Sequence, residues 1–207
     1  MTTTRFCLVR HGETDWNVES RLQGYIDIPL NARGLAQANQ MAKALKRAHF
    51  QFDVLYTSDL QRAKQTAQAI EHLYSVSAIS HSLLKERHLG ALQGLTTSEA
   101  PLLEPALWEA HLSRDIHQEL RGGESILQFA DRIKTVLQEI QEKYTGKTIL
   151  IVSHGGALDM MYRMASNQAL DAQRVITVPN ASLNWISCDG PNWKVDNWAD
   201  ITHLDGL

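Results

Sequence analysis

The residues best equipped for chemistry stand at three points of the chain, each just past an apolar run. Arg10, His11 and Gly12 follow residues 6–9, Ser58 and then Arg62 follow residues 52–56, and His154, Gly155 and Gly156 follow residues 148–152. A cation and an imidazole at the end of a buried strand are costly to hold without a partner. Gly12 permits a sharp turn or the close approach of a ligand. Arg62 would fall in the first turn of a helix, where a cation opposes the helix dipole, which makes sense if it serves an anion bound nearby. Each feature also has a plain explanation. Arg10 and His11 could be a solvated strand exit, and Arg62 could be an arginine whose long side chain reaches water. The chemistry the set could perform is phosphoryl transfer. That reaction needs an in-line nucleophile, positive charge around the equatorial oxygens and a proton for the leaving oxygen. Neutral imidazole is a competent nucleophile near neutral pH, and guanidinium forks match phosphate oxygens.

The elements that must position these residues follow from hydrophobic period. Residues 6–9 read as a buried strand. Residues 27–31, with Pro29, read as loop, and residues 33–48 as a helix with Leu35, Ala38, Met41 and Leu45 on one face. A strand at residues 52–56 leads to Ser58 or Asp59 as N-cap of a helix striped by Leu60, Ala63, Ala67, Ile70 and Leu73. Residues 76–84 are expected to be strand. A helix starting at residues 122–125 carries Ile126, Phe129, Ile133, Leu137, Ile140 and Tyr144, with Gly146 as its C-cap. A strand at residues 148–152 and a helix at 157–165 follow, and the tail holds strands at residues 181–188 and 193–198. Residues 95–121 show no sustained period, and Pro101 and Pro105 break them. They read as a partly helical insertion over the site.

Alternating strands and helices imply an α/β fold with three layers, α/β/α, around a mainly parallel sheet. One domain spans residues 1–207. Ligands bind such sheets at the carboxyl ends of the strands, so the fold brings two arginines and two histidines to one edge. Two of those strands also deliver helix N-termini, which favour phosphate.

Composition narrows the class. The chain is 43% hydrophobic and 21% charged, ordinary for a globular protein. A net charge of −3 argues against a general nucleic-acid surface. No stretch has signal-peptide or transmembrane form. Cys7 and Cys188 are lone and lack metal spacing, so a cytoplasmic protein without disulfides is expected. Trp185, Trp193 and Trp198 read as packing residues. Gly146, Lys147 and Thr148 resemble the end of a P-loop, but Gln141 stands where that motif needs glycine. The run from His154 to Gly156 resembles an esterase oxyanion motif, yet no Gly-x-Ser-x-Gly elbow accompanies it. No zinc spacing occurs, and His49, His72, His81, His111, His117 and His203 read as surface or structural residues.

Four stretches, in order, resemble the histidine phosphatase superfamily in its phosphoglycerate-mutase-like branch. They are Arg10-His11-Gly12-Glu13-Thr14 with Asn17, Arg21, Gln23 and Gly24; Thr57 to Ala63; Glu86-Arg87-His88-Leu89-Gly90; and Ser153-His154-Gly155-Gly156. The resemblance implies that His11 is the nucleophile, forming a phosphohistidine, and that Arg10 and Arg62 hold phosphate oxygens. It implies that His154 is a second, cationic donor, and that Glu86 protonates the leaving alkoxide and later deprotonates water. The last role calls for a carboxyl whose pKa is raised by partial burial; without the resemblance, Glu86 reads as a salt-bridge partner of Lys85 or Arg87. By the same resemblance Asn17, Gln23, Gly24, Ser58 and the Gly155 amide line the phosphate and substrate pocket. A backbone carbonyl is expected to fix the His11 tautomer. No metal or organic cofactor is implied.

The expected activity is hydrolysis of small phosphomonoesters, with a small phosphorylated metabolite as partner, no nucleic acid or membrane, and a homodimer compatible with the reading. The alternative enzyme is a cofactor-dependent phosphoglycerate mutase, primed by 2,3-bisphosphoglycerate. A catalytically dead binding protein is disfavoured because Arg10, His11, Arg62, Glu86 and His154 are all present. Against the mutase, Leu89 stands where the mutases have tyrosine, and Thr96 and Thr97 replace asparagine and lysine. The following segment offers only the isolated Arg114 and Arg121 in place of an arginine pair, so weak carboxylate capture is expected.

Overall fold

The structure is a computed structural model describing residues 2–207. Its centre is β1 (Thr4–Arg10), where side-chain alternation sorts the core into two faces. Phe6 and Leu8 point to one side and Cys7 and Val9 to the other, all fully buried. A strand that is apolar on both faces must lie inside a sheet covered twice. The sheet has six strands in the order β3-β2-β4-β1-β5-β6, formed by β1, β2 (Val54–Thr57), β3 (Ile79–Ser80), β4 (Thr148–Ser153), β5 (Leu183–Asp189) and β6 (Asn192–Asp200). The strands β3, β2, β4 and β1 pair in parallel, while β5 and β6 add an antiparallel edge.

Helices α2 (Ala32–Arg47) and α3 (Gln61–Tyr74) cover the face of Cys7 and Val9. Helices α6 (Ile126–Lys143) and α7 (Gly155–Ser166) cover the face of Phe6 and Leu8. The expected three-layer α/β/α architecture is therefore present. The tryptophans pack as expected: Trp193 lies 5.3 Å from Phe6 and Trp185 meets Phe50 edge-on at 5.0 Å. Ser125 caps α6 through a reciprocal capping box with Gln128.

Several local expectations change. Most of residues 76–84 is not strand: β3 has two residues, and a 3₁₀ turn at Ser82–Leu84 follows, its Leu83 N–H met by the His81 side chain. An edge strand lies beyond much of the apolar burial that would extend it, and Ile79 is half-exposed. Neither Ser58 nor Asp59 caps α3. Its N-cap is Leu60, and Asp27 accepts the Gln61 N–H at 2.6 Å instead. Leu35 leaves the α2 stripe and is exposed. Tyr144 is the C-cap of α6, with Gly146 beyond it at φ 75°. Within the insertion, Pro101 and Pro105 begin helices α4 (Ala100–Leu103) and α5 (Pro105–Ser113) where they were expected to break structure. Proline at the first helical positions loses no hydrogen bond. A short helix α1 (Asp15–Val18) follows β1, capped by Thr14 and Asn17. Ala100 and Leu120 of the insertion build a small separate core with Leu89 and Leu92, which precede it.

Candidate active site

The carboxyl ends of β1, β2 and β4 converge, as parallel topology requires, around a cavity of about 250 Å³. Arg10, His11, Arg62 and Glu86 line it together with Asn17, Gln23 and Gly24. His11 is 3% exposed, and its Nδ1 lies 2.7 Å from the Gly12 carbonyl. A carbonyl only accepts, so Nδ1 carries the proton and Nε2 is left with a free lone pair. Burial first, then the charges of Arg62 and Arg10, hold the His11 imidazole well below its usual range. It is therefore neutral and nucleophilic.

The turn that presents His11 depends on close packing. A Cβ on Gly12 would collide with the carbonyl of Gly34 at the start of α2. The Gly12 N–H donates to Thr66 on α3 at 3.0 Å, and Thr66 Oγ1 donates to the Arg62 carbonyl at 2.8 Å. One hydroxyl thus ties the nucleophile's loop to the helix that carries Arg62.

Both arginines are anchored at one end and free at the other. Arg62 is 1% exposed and donates to the carbonyls of Gly24 at 2.7 Å and Ile26 at 2.9 Å, with its Nε unpartnered. Arg10 donates to the Val178 carbonyl at 2.6 Å, and its Nε is also buried without a partner. Burial pushes both guanidinium groups down to about 10, so each stays charged at neutral pH. Buried cations with unmet donors are a fitting cradle for an anion.

Glu86 is half-buried and, among the described residues, makes no ion pair. Lys85 pairs with Asp59 at 3.1 Å, and Arg87 donates to the Glu124 carbonyl at 2.9 Å. The Glu86 carboxylate is oriented by two backbone N–H groups, from Arg87 and from Gly156, each at 2.9 Å. A Cβ at Gly156 would stand where Glu86 Oε1 now lies, so a side chain there would displace the carboxylate.

His154 is fully buried as N-cap of α7, its ring centre 5.2 Å from that of His11. Ser58 Oγ lies 2.8 Å from its Nε2. Burial, then Arg62, then His11 hold the His154 imidazole well below the usual range. Ser58 consequently orients His154 and does not itself line the cavity. Gly155 packs behind Arg10, its Cβ position 3.4 Å from Nε, and its amide opens α7. Asn17 Oδ1 is held by the Thr14 N–H at 3.1 Å and by Asn180 at 3.3 Å. Gln23 is buried with Oε1 unpartnered, and Gly24, at φ 50°, supplies the carbonyl to Arg62.

Sequence reading missed Thr66, Asn180, Arg174 and His111. Asn180 donates to the His11 carbonyl at 3.0 Å. His111, expected at the surface or in a structural role, lines the cavity, and burial pushes it down to about 4. Nothing local marks these residues: Thr66 stands on α3, His111 on α5 of the insertion, and Arg174 and Asn180 between α7 and β5. Among the described residues, no group of three or more metal-type side chains exists, and no helix is long and apolar enough to cross a membrane.

The sequence profile of the histidine phosphatase superfamily, branch 1, matches residues 6–201. The chain belongs to the histidine phosphatase superfamily. This histidine phosphatase is 39% identical over 206 residues to a metal-independent phosphoserine phosphatase of Arabidopsis thaliana, covering 99% of this chain and 84% of the relative. It is 36% identical over 201 residues to phosphoglycerate mutase-like protein 4 of the same plant, covering 96% and 86%. Its fold matches the solved structure of Bacillus stearothermophilus YhfR with a TM-score of 0.90 at 29% identity, covering 98% of this chain and 100% of that one.

Proposed function

We propose that this enzyme, a phosphatase, hydrolyses small phosphomonoesters through a phosphohistidine on His11. The observation that carries the reading is the His11 ring itself, with Nδ1 held by the Gly12 carbonyl and Nε2 free in a cavity shared with Arg10, Arg62 and Glu86. The Nε2 lone pair attacks phosphorus as the ester P–O bond breaks, and Glu86 gives its proton to the departing alkoxide. Arg10 and Arg62 neutralise the equatorial oxygens. A bound phosphate would draw a proton onto His154 and make it a donor. Glu86 then takes a proton from water, whose oxygen attacks phosphorus, releasing inorganic phosphate and free His11.

All of this charge comes from side chains, and the metal-independence named for the Arabidopsis phosphoserine phosphatase supports chemistry without a resident metal. That relative makes O-phosphoserine an early substrate to assay. The free thiols of Cys7 and Cys188 support a cytoplasmic setting. The test is to quench turnover and look for protein-bound phosphate that is acid-labile and base-stable. His11→Ala should abolish it and the turnover together; near wild-type turnover in that variant would overturn the assignment.

A further inference from the structure

Glu86 must meet the ester oxygen, yet no regular element carries it. Residues 85–89 lie between 3₁₀ turns at Ser82–Leu84 and Gly90–Leu92 and belong to no helix or strand. The two N–H groups on its carboxylate fix only the outer end of the side chain. The backbone beneath needs partners of its own, because polar groups left unmet away from water are costly.

One side chain supplies most of them. Arg132, on α6, sends Nη1 to the carbonyls of Leu83 at 2.7 Å and Lys85 at 3.1 Å, and Nη2 to that of Glu86 at 3.1 Å. Its other donors go to Glu124, Nε to Oε1 at 2.7 Å and Nη2 to Oε2 at 2.8 Å. A guanidinium has five N–H donors in a fixed plane, and here all five are used. Ser153, at the end of β4, completes the run by donating to the Leu84 carbonyl at 2.7 Å.

Glu124 holds the chain on the far side of Glu86. Its Oε2 accepts the His88 N–H at 2.8 Å, its own N–H donates to the His88 carbonyl at 2.8 Å, and its carbonyl accepts from Arg87 Nε at 2.9 Å. Both residues stand on a firm base. Glu124 immediately precedes Ser125, the N-cap of α6, and Arg132 adjoins the core residue Ile133, its guanidinium 4.9 Å from the Phe129 ring. The two side chains are 12% and 19% exposed, so water competes little for their bonds. Neither lines the active-site cavity, so neither is placed to touch a substrate there. Their charges cancel within the pair, which leaves the Glu86 carboxylate without a cation of its own. Such a clamp sets the direction of a carboxyl without tying up its charge.

We propose that Arg132, locked by Glu124, is a positioning residue that aims the Glu86 carboxyl at the ester oxygen. The inference rests on the phosphatase reading, in which Glu86 is the proton donor. Lysine cannot stand in for Arg132. A compact ammonium with three donors lacks the planar fork that serves three carbonyls and both carboxylate oxygens together.

The test compares wild type, Arg132→Lys and Glu124→Gln by phosphate release from p-nitrophenyl phosphate and from the fastest of three alkyl esters, O-phosphoserine, 3-phosphoglycerate and glycerol 3-phosphate. Misplacing a reacting group by about 1 Å can cost ~10²-fold, so kcat for the alkyl ester should fall at least about tenfold in each variant. KM should hold, because Arg10, His11 and Arg62 are untouched, and such a split marks an interaction felt in the transition state. The p-nitrophenolate leaves without a proton, so its kcat should fall far less. The double variant should lose no more than the worse single one, since the two residues form one clamp. A merely structural role would lower both esters alike through the folded fraction. Equal loss on both esters, an undiminished alkyl rate in both single variants, or losses that multiply in the double variant would overturn the inference. So would failure of both single variants to fold, since the role assigned to them is the aim of Glu86 and not the fold. If wild type hydrolyses p-nitrophenyl phosphate alone, Glu86 delivers no useful proton and the inference falls. If it hydrolyses nothing, the phosphatase reading falls first.

Discussion

Replacing Gly156 with alanine should separate proton transfer from folding. The backbone at Gly156 is not at positive φ, so alanine fits the helix and, by propensity, favours α7 by about 0.5–1 kcal/mol. The new Cβ, however, would stand where Glu86 Oε1 now lies, with the Glu86 Cδ at 3.0 Å and Oε2 at 3.3 Å. The obstacle is the far end of a side chain, so Glu86 gives way and the helix does not. Glu86 then loses its bond to the Gly156 N–H and its aim at the ester oxygen. A displaced general acid forfeits up to about 10²–10⁴-fold in rate. The loss should appear with alkyl phosphates, whose alkoxide needs a proton, and be much smaller with p-nitrophenyl phosphate. Steady-state rates on both esters, with a melting curve, make the assay. The expected result is a large alkyl-selective fall in kcat with an unchanged or raised Tm. Equal loss on both esters, or a lowered Tm, would refute the reasoning.

Further outcomes can be checked. Because His11 and His154 are held well below the ordinary 6.5 by burial and nearby cations, the acid limb of kcat/KM attributable to imidazole should lie below that pH; a limb at or above it would contradict the geometry. The same depressed histidines bind protons more readily when unfolded, so stability should fall as pH drops below about 6.5, read by urea unfolding; a flat profile through that window would count against it. Thr66→Val leaves the Gly12 N–H without its acceptor and should cost about 1–3 kcal/mol in urea unfolding, with slower turnover. With 3-phosphoglycerate and the bisphosphate primer, free phosphate should outpace 2-phosphoglycerate; rapid isomerisation without phosphate release would favour a mutase.

The sheet, its helical layers and the residues at the strand ends were legible because they depend on local period and on parallel topology. Residues 6–9, 52–56 and 148–152 are apolar on both faces, and such strands end where the chain must turn, which placed His11, Arg62 and His154 at one edge. Less was legible where partners come from afar. The first N–H of α3, that of Gln61, is met by Asp27, remote from Ser58 in the chain, and the prolines of the insertion start helices that only a small separate core makes worthwhile.

Charge is where sequence and tertiary structure part most clearly. Reading the insertion alone, isolated Arg114 and Arg121 suggested weak capture of a carboxylate. Folding places Arg114 with Arg87 and Arg174 around one cavity, while Arg121 pairs with Glu104 elsewhere. Likewise the amino acids at positions 11 and 154 are fixed by the chain, but their neutrality comes from burial beside Arg10 and Arg62. The sequence by itself determined which groups could react and which strand ends carry them, because period and residue type are local. Only the tertiary structure decided their protonation, their hydrogen-bond partners and the cavity next to them, because solvation and Coulomb energy depend on neighbours the chain supplies from a distance.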